Sequence, residues 1–427
     1  MRNWAGNQIY RARRLLEPES IEALQELVRS STRLRVVGSR HAFNDIADTT
    51  GDHVSLASLP RVIEIDREAG TVTVDGAVRY GDLCPVLQGA GLALHNLASL
   101  PHISVAGACL TATHGSGDRL GNLSTAVAGL ELVRADGELV TIERSTDPDG
   151  LAAAVVSLGS LGVVTRLTLD VEPTYRMRQV VFEDLPLAAF RGHLDEITSA
   201  ADSVSGFTQW RGPVIEQIWT KQRVRDDTST GPAVSEIGDL FGATAASVPL
   251  HPIRGVTPDA CTAQLGIAGP WLDRLPHFRL DHTPSAGEEL QSEFFVAREH
   301  AVAAFDALDA LRDRLEPLVF VSEIRTIASD ELWLSPAYRR PSVAFHFTWR
   351  PDWPSVRALL PAIEAALEPF EPRPHWAKLF TMAPEVVRSR YERLPAFAAM
   401  ADRFDPQGTF RNDFTRRYVF GVTSARG

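Results

Sequence analysis

Two stretches, Val36-Val37-Gly38-Ser39-Arg40-His41-Ala42-Phe43-Asn44 and Ser99-Leu100-Pro101-His102-Ile103-Ser104-Val105-Ala106-Gly107, put small residues and hydroxyls directly after extended apolar segments. The second runs on through Thr113-His114-Gly115-Ser116-Gly117. Bare backbone N–H groups and Ser or Thr hydroxyls can surround a pyrophosphate, so both loops suit a phosphorylated cofactor. A second kind of chemistry lies in Phe320-Val321-Ser322-Glu323-Ile324-Arg325-Thr326, where a period of two places Val321, Glu323 and Arg325 on one face. The same rule puts His346 and Thr348 of Val343-Ala344-Phe345-His346-Phe347-Thr348-Trp349 together, so two strands offer four polar groups to one surface. Pro374-His375-Trp376-Ala377-Lys378 adds a cation. Taken singly, Glu-x-Arg is more often an exposed ion pair and His346 a satisfied core residue.

The elements that position these groups are legible from periodicity. Ser20 to Arg29 reads as a helix with Ile21, Leu24, Leu27 and Val28 on one face, and Leu34-Arg35-Val36-Val37 as a strand feeding Gly38. Val62 to Asp66 and Thr71 to Asp75 read as a hairpin, Tyr80 opens a helix ending near Gly89 or Gly91, and Leu130 to Val133 with Leu139 to Ile142 forms a second hairpin. Leu161 to Leu169 closes this region as a glycine-interrupted strand. After Val171-Glu172-Pro173 the segments lengthen, and Val248 to Gly287 reads as irregular connections. Helices are expected over His300 to Arg314 and Pro354 to Leu367.

A Rossmann site needs Gly-x-Gly-x-x-Gly between a first strand and its helix. The nearest run, Gly115-Ser116-Gly117-Asp118-Arg119-Leu120-Gly121, has one residue too many, and no Walker-type Gly-Lys-Ser occurs. The 427 residues are enough for two or more domains, and a net charge of −11 argues against nucleic acid or anionic membrane as the main partner. Cys84, Cys109 and Cys261 are too few for a disulfide framework, which with no signal peptide or membrane span predicts a cytoplasmic protein with an inert, buried Cys109. A monomer is expected.

Gly38 to His41 combined with Ser104 to Gly117 resembles the vanillyl-alcohol-oxidase family of flavoproteins. The resemblance implies an α+β fold of the vanillyl-alcohol-oxidase/PCMH type, with FAD wrapped between two small α+β subdomains and an α+β cap domain beside them. It divides the chain into an FAD-binding domain over 1–172, a substrate domain over 173–375, and a segment over 376–427 that returns to complete the site. Alone, His41 would be an ordinary loop histidine; by the resemblance it carries the covalent bond to the flavin. FAD contacts are implied for Val37, Gly38, Ser39, Arg40, His41, Ala42, Ser99, Ser104, Gly107, Thr111, Thr113 and His114, and through backbone for Gly162, Val163 and Val164.

Glu323-x-Arg325, His346-x-Thr348 and His375-Trp376-x-Lys378 resemble the sugar-alcohol and aldonolactone branch, and most of all the bacterial alditol oxidases, also called xylitol oxidases. By that resemblance a polyol such as xylitol or sorbitol gives a hydride from its terminal carbon to flavin N5, and O2 is reduced to hydrogen peroxide. Ser99, Glu323, Arg325, Thr348 and Lys378 would bind the hydroxyl chain with His346 close by. Arg325 and Lys378 would stabilise the developing alkoxide. Lys378 or His346 would act as the base. The alternatives are an aldonolactone oxidase or dehydrogenase of the L-gulono- or D-arabinono-1,4-lactone type and, more remotely, a non-catalytic flavin-binding protein. No metal is implied.

Overall fold

The computed structural model describes residues 1–224, 239–281 and 288–422. The chain begins with a small parallel sheet, in which Asp52–Val54 lies between Leu15–Leu16 and Leu34–Val36. The helix Ile21–Ser30 covers it; Ser20 Oγ accepts the Ala23 N–H at 3.2 Å, while Leu24 and Val28 are fully buried. An antiparallel five-stranded sheet follows in the order Ile63–Asp66, Thr71–Asp75, Val163–Asp170, Val127–Val133, Leu139–Glu143. Both hairpins expected from alternation are present in it.

Among the described residues, a separate sheet of nine antiparallel strands takes up the chain from Arg176. Its centre runs Arg176–Pro186, Val214–Val224, Ser203–Thr208, Val319–Ile327, Ser342–Trp349, Leu290–Ala297. The helices Ala301–Asp309 and Trp353–Leu367 pack together, and Phe305, Leu308, Leu359 and Ile363 bury their apolar faces in the main core. This leaves the opposite face free for polar residues. The single helix expected over His300 to Arg314 is instead two pieces, Ala301–Asp309 and Arg312–Leu315. Leu311 N–H bonds back only to Leu308 O, and the Asp309 carboxylate takes Arg312 Nε at 2.9 Å, so the chain tightens and turns there. The stretch Val105–Leu110, expected as loop, is a short helix.

The last part of the chain returns to the first. Asn44 Nδ2 donates to the carbonyls of Trp376 and Lys378, both at 2.8 Å, and Phe43 N–H donates to Ala377 O at 2.8 Å. Asn412 Nδ2 reaches Asp45 O, Ile46 O and Asp48 O. Buried Arg35 donates to the carbonyls of Ile46, Leu158, Gly159 and Phe410, clamping three distant segments behind the first loop. Among the described residues no helix is long and apolar enough to cross a membrane. Cys84, Cys109 and Cys261 are buried and free, and burial pushes the Cys109 thiol up to about 12.

Candidate active site

A cavity of about 570 Å³ opens between the two loops and the polar face of the large sheet. Its loop side is built from backbone and small side chains. Ser104 N–H donates to Ser39 Oγ at 3.1 Å, joining the two motifs. A Cβ added at Gly38 would stand 2.8 Å from Ser104 Oγ, and one at Gly107 2.7 Å from the same atom. Neither position has room for a side chain without Ser104 moving. Arg40 (φ 63°) and Ala112 (φ 54°) hold left-handed backbone, which costs non-glycine residues roughly 1–2 kcal/mol each.

His41 lines the cavity, stacks on Trp4 at 5.0 Å, and has a buried Nδ1 without a hydrogen-bond partner. Burial lowers its pKa to about 4, against the backbone hydrogen bond at Ser39, so the imidazole is neutral and nucleophilic. An orphaned, neutral imidazole nitrogen between crowded glycine loops fits a flavin with a covalent histidine link.

The opposite side is built from side chains, set by strand register. Glu293 on Leu290–Ala297 lies opposite His346 on Ser342–Trp349, which lies opposite Glu323 on Val319–Ile327. Gln291 and Thr348 pair one step along the same face. Glu293 is fully buried and accepts Arg325 Nη2 on one oxygen and Lys378 Nζ on the other, both at 2.6 Å. Burial alone would raise this carboxyl, but Arg325, Lys378 and His114 together hold it well below the usual range. Glu323 accepts His277 Nε2 at 2.8 Å and lies 3.6 Å from Arg325 Nε and 3.8 Å from His346 Nδ1. Its carboxyl is also held down, as Arg325 and His277 outweigh burial.

Lys378 is buried, which lowers its ammonium while Glu293 opposes the shift. His346 is lowered well below its ordinary value by burial and then by the Lys378 charge, and its Nε2 is buried without a partner. His346 therefore presents a neutral imidazole to a wall in which two cations balance two carboxylates.

Most residues expected at the site line this one cavity, with Ser99, Thr348, Lys378, Thr111, Thr113, Gly162 and Val164 among them. Val163 turns its side chain into a core with Leu24, Val28 and Phe410, as the period of two requires beside Val164, so only its backbone is left for the contact expected of it. His114, expected on the cofactor, has Nε2 3.2 Å from Glu293 Oε1 and so also adjoins the ionic wall. Sequence reasoning missed Glu293, Gln291, His277 and Lys221. Gln291-Ser292-Glu293 carries the same period-two signal as Glu323-Ile324-Arg325, whereas His277 lies in an irregular connection and has no such signature.

The model of an FAD binding domain matches residues 12–143, and that of D-arabinono-1,4-lactone oxidase matches residues 288–418. An alditol oxidase from a Streptomyces species is 45% identical over 422 residues, covering 98% of this chain and 99% of that one. An L-gulono-1,4-lactone dehydrogenase of Mycobacterium tuberculosis is 30% identical over 430 residues, covering 98% of each. Among solved structures, a cholesterol oxidase from B. sterolicum superposes with a TM-score of 0.76 over 98% of this chain and 96% of that one, at 14% identity. That likeness is one of fold.

Proposed function

The chain belongs to the alditol oxidase family of vanillyl-alcohol-oxidase flavoproteins, and from this we propose that it oxidises the terminal hydroxyl of a sugar alcohol to the aldehyde, with FAD as cofactor and O2 as acceptor. The observation that carries the reading is the charge-balanced wall with an unpartnered, neutral imidazole nitrogen at His346 Nε2. A neutral polyol needs many hydrogen-bonding groups and no surplus charge, and two cations facing two carboxylates supply that.

When bound, the flavin supplies the hydride acceptor. Gly38 to Ala42, Ser104 and Gly107, with the Thr111 and Thr113 hydroxyls, would hold it, and His41, whose Nδ1 has no partner, would carry the covalent link. Ser99 and Thr348 set the substrate's register by neutral hydrogen bonds. Glu323 accepts a substrate hydroxyl on Oε2, since Oε1 is taken by His277. His346 Nε2 accepts the proton of the reacting hydroxyl. Lys378 stays an ammonium through its bond to Glu293 and with Arg325 stabilises the alkoxide as the proton leaves. This assigns the base to His346 rather than Lys378, because Lys378 Nζ is committed to a carboxylate and His346 Nε2 to nothing.

One observation favours a second reading: the segment matching the lactone oxidase model, 288–418, carries the whole ionic wall. Anaerobic addition of xylitol, and separately of L-gulono-1,4-lactone, to the purified yellow protein distinguishes the two. Bleaching by xylitol, colour restored by air, and flavin retained on the acid-precipitated chain are the expected results. Bleaching by the lactone alone would move the substrate to that class.

A further inference from the structure

Behind Glu323 lies a line of buried groups that the reaction as described does not use. Lys221, on Val214–Val224, is 1% exposed, and its Nζ lies 2.5 Å from Leu275 O, 3.1 Å from Pro276 O and 2.9 Å from His277 Nδ1. An ammonium has three N–H bonds and no acceptor, so these three neighbours use all of them. His277 Nδ1 is then the accepting nitrogen and carries no proton. The one ring proton sits on Nε2 and is donated to Glu323 Oε1 at 2.8 Å. Every donor faces an acceptor from the ammonium to the carboxylate.

The imidazole cannot readily turn out of this line. Phe207 and Trp219 meet it edge-on, with centroids 5.4 and 5.3 Å away. Its own backbone carbonyl accepts Thr262 N–H at 2.9 Å, and the next residue, Phe278, donates its N–H to Ser99 O at 3.3 Å. The same segment thus touches the cofactor loop at Ser99 and the ionic wall at Glu323.

On the reading that Glu323 receives a substrate hydroxyl, we infer that Lys221 and His277 are positioning residues that fix Glu323 as a carboxylate, with Oε1 held by His277 and Oε2 turned to the polyol. Lys221 sets the tautomer of His277, and His277 sets the orientation of Glu323. The other groups facing Glu323 are Arg325 on its own strand and His346 on the neighbouring one, with Glu293 and Lys378 beyond Arg325. Those facing Lys221 besides His277 are Glu323 and Cys261. Burial, then Lys221, lowers His277 to about 4, so the neutral tautomer persists through the working range.

Three variants and one spectrum test this in the holoenzyme. His277→Leu cuts both bonds; the half-saturating xylitol concentration for anaerobic flavin reduction should rise about thirtyfold, as for loss of a hydrogen bond to a charged group. The acid limb of the pH profile should move up by about one unit, because Glu323 then loses a donor that favours its ionised form. His277→Gln offers an amide oxygen to Lys221 and an amide N–H to Glu323, and should recover to within about threefold of the parent. Lys221→Met should shift the acid limb in the same direction as His277→Leu. Nitrogen-15 spectra of histidine-labelled holoenzyme should show His277 protonated on Nε2 alone at pH 6, below the Lys221 value of about 7 where that group is an ammonium, and should lose that fixed state in Lys221→Met. A glutamine variant as impaired as the leucine one, an unchanged half-saturation in His277→Leu, or a proton on Nδ1 overturns the assignment. Failure of xylitol to reduce the parent protein overturns the polyol reading instead, and the nitrogen spectra then still decide the Lys221–His277–Glu323 order.

Discussion

The two sides of the cavity hold their ligands by opposite means. The segments around Gly38 and Gly107 work by absence of side chain and by strained backbone at Arg40 and Ala112. The wall around Glu293, His346 and Glu323 works by large ionisable side chains, each pinned by another. A binding surface made of backbone tolerates no added atom, whereas one made of side chains tolerates no lost partner. Cofactor retention and catalytic rate should therefore separate cleanly by the side that is altered.

The largest effect expected is on the wall. His346→Ala should lower the limiting rate of flavin reduction by about 10³-fold, the scale of a lost general base, with flavin content unchanged. Since burial and the Lys378 charge keep His346 neutral well below its ordinary pKa, the parent rate should hold steady as pH falls from 8 to 6. Stopped-flow reduction checks both, and loss of flavin from this variant would blur the division between the two sides.

Next in size is the reverse experiment. Gly107→Ala places a Cβ 2.7 Å from Ser104 Oγ and should cost about tenfold in flavin occupancy at fixed FAD, while turnover per bound flavin stays near the parent value. Absorbance ratio and activity per flavin read the two quantities separately.

The smallest effect sharpens what a pinned side chain costs. Burial pulls Lys221 down to about 7, from about 10.4 in the unfolded chain. Between those values the unfolded state binds the extra proton, so folding stability should rise with pH above 7, and the full penalty is present below it. Between pH 6.5 and pH 9 the melting temperature of the parent should climb about 2–4 °C more than that of Lys221→Met, read by scanning calorimetry. Parallel pH curves would mean that Lys221 keeps its proton throughout.

How much of this the chain disclosed differs with the range of the interaction. The helix after Ser20, both hairpins and the first loop were legible because caps, alternation and small-residue runs act over a few residues, whereas the second small-residue run folds as the helix Val105–Leu110. Glu323 with Arg325, and His346 with Thr348, were placed on shared faces because the strand period is two. That the two faces coincide depends on the register of Val319–Ile327 against Ser342–Trp349, which no local rule supplies. His41 was nameable only through motif resemblance, since the burial and stacking that make it a neutral imidazole come from Trp4 and the returning chain.

By itself, then, the sequence determined most of the local elements, the small-residue runs that line the cavity, and the family. Tertiary structure alone decided that Glu293 joins Arg325 to Lys378, that Lys221 and His277 stand behind Glu323, and that His346 rather than Lys378 is left with a free nitrogen. The physical reason is separation along the chain. Arg325 and Glu293 are 32 positions apart and Lys378 and Glu293 are 85 apart, so the pairing that fixes each charge is made by folding and has no trace in the neighbours of either residue.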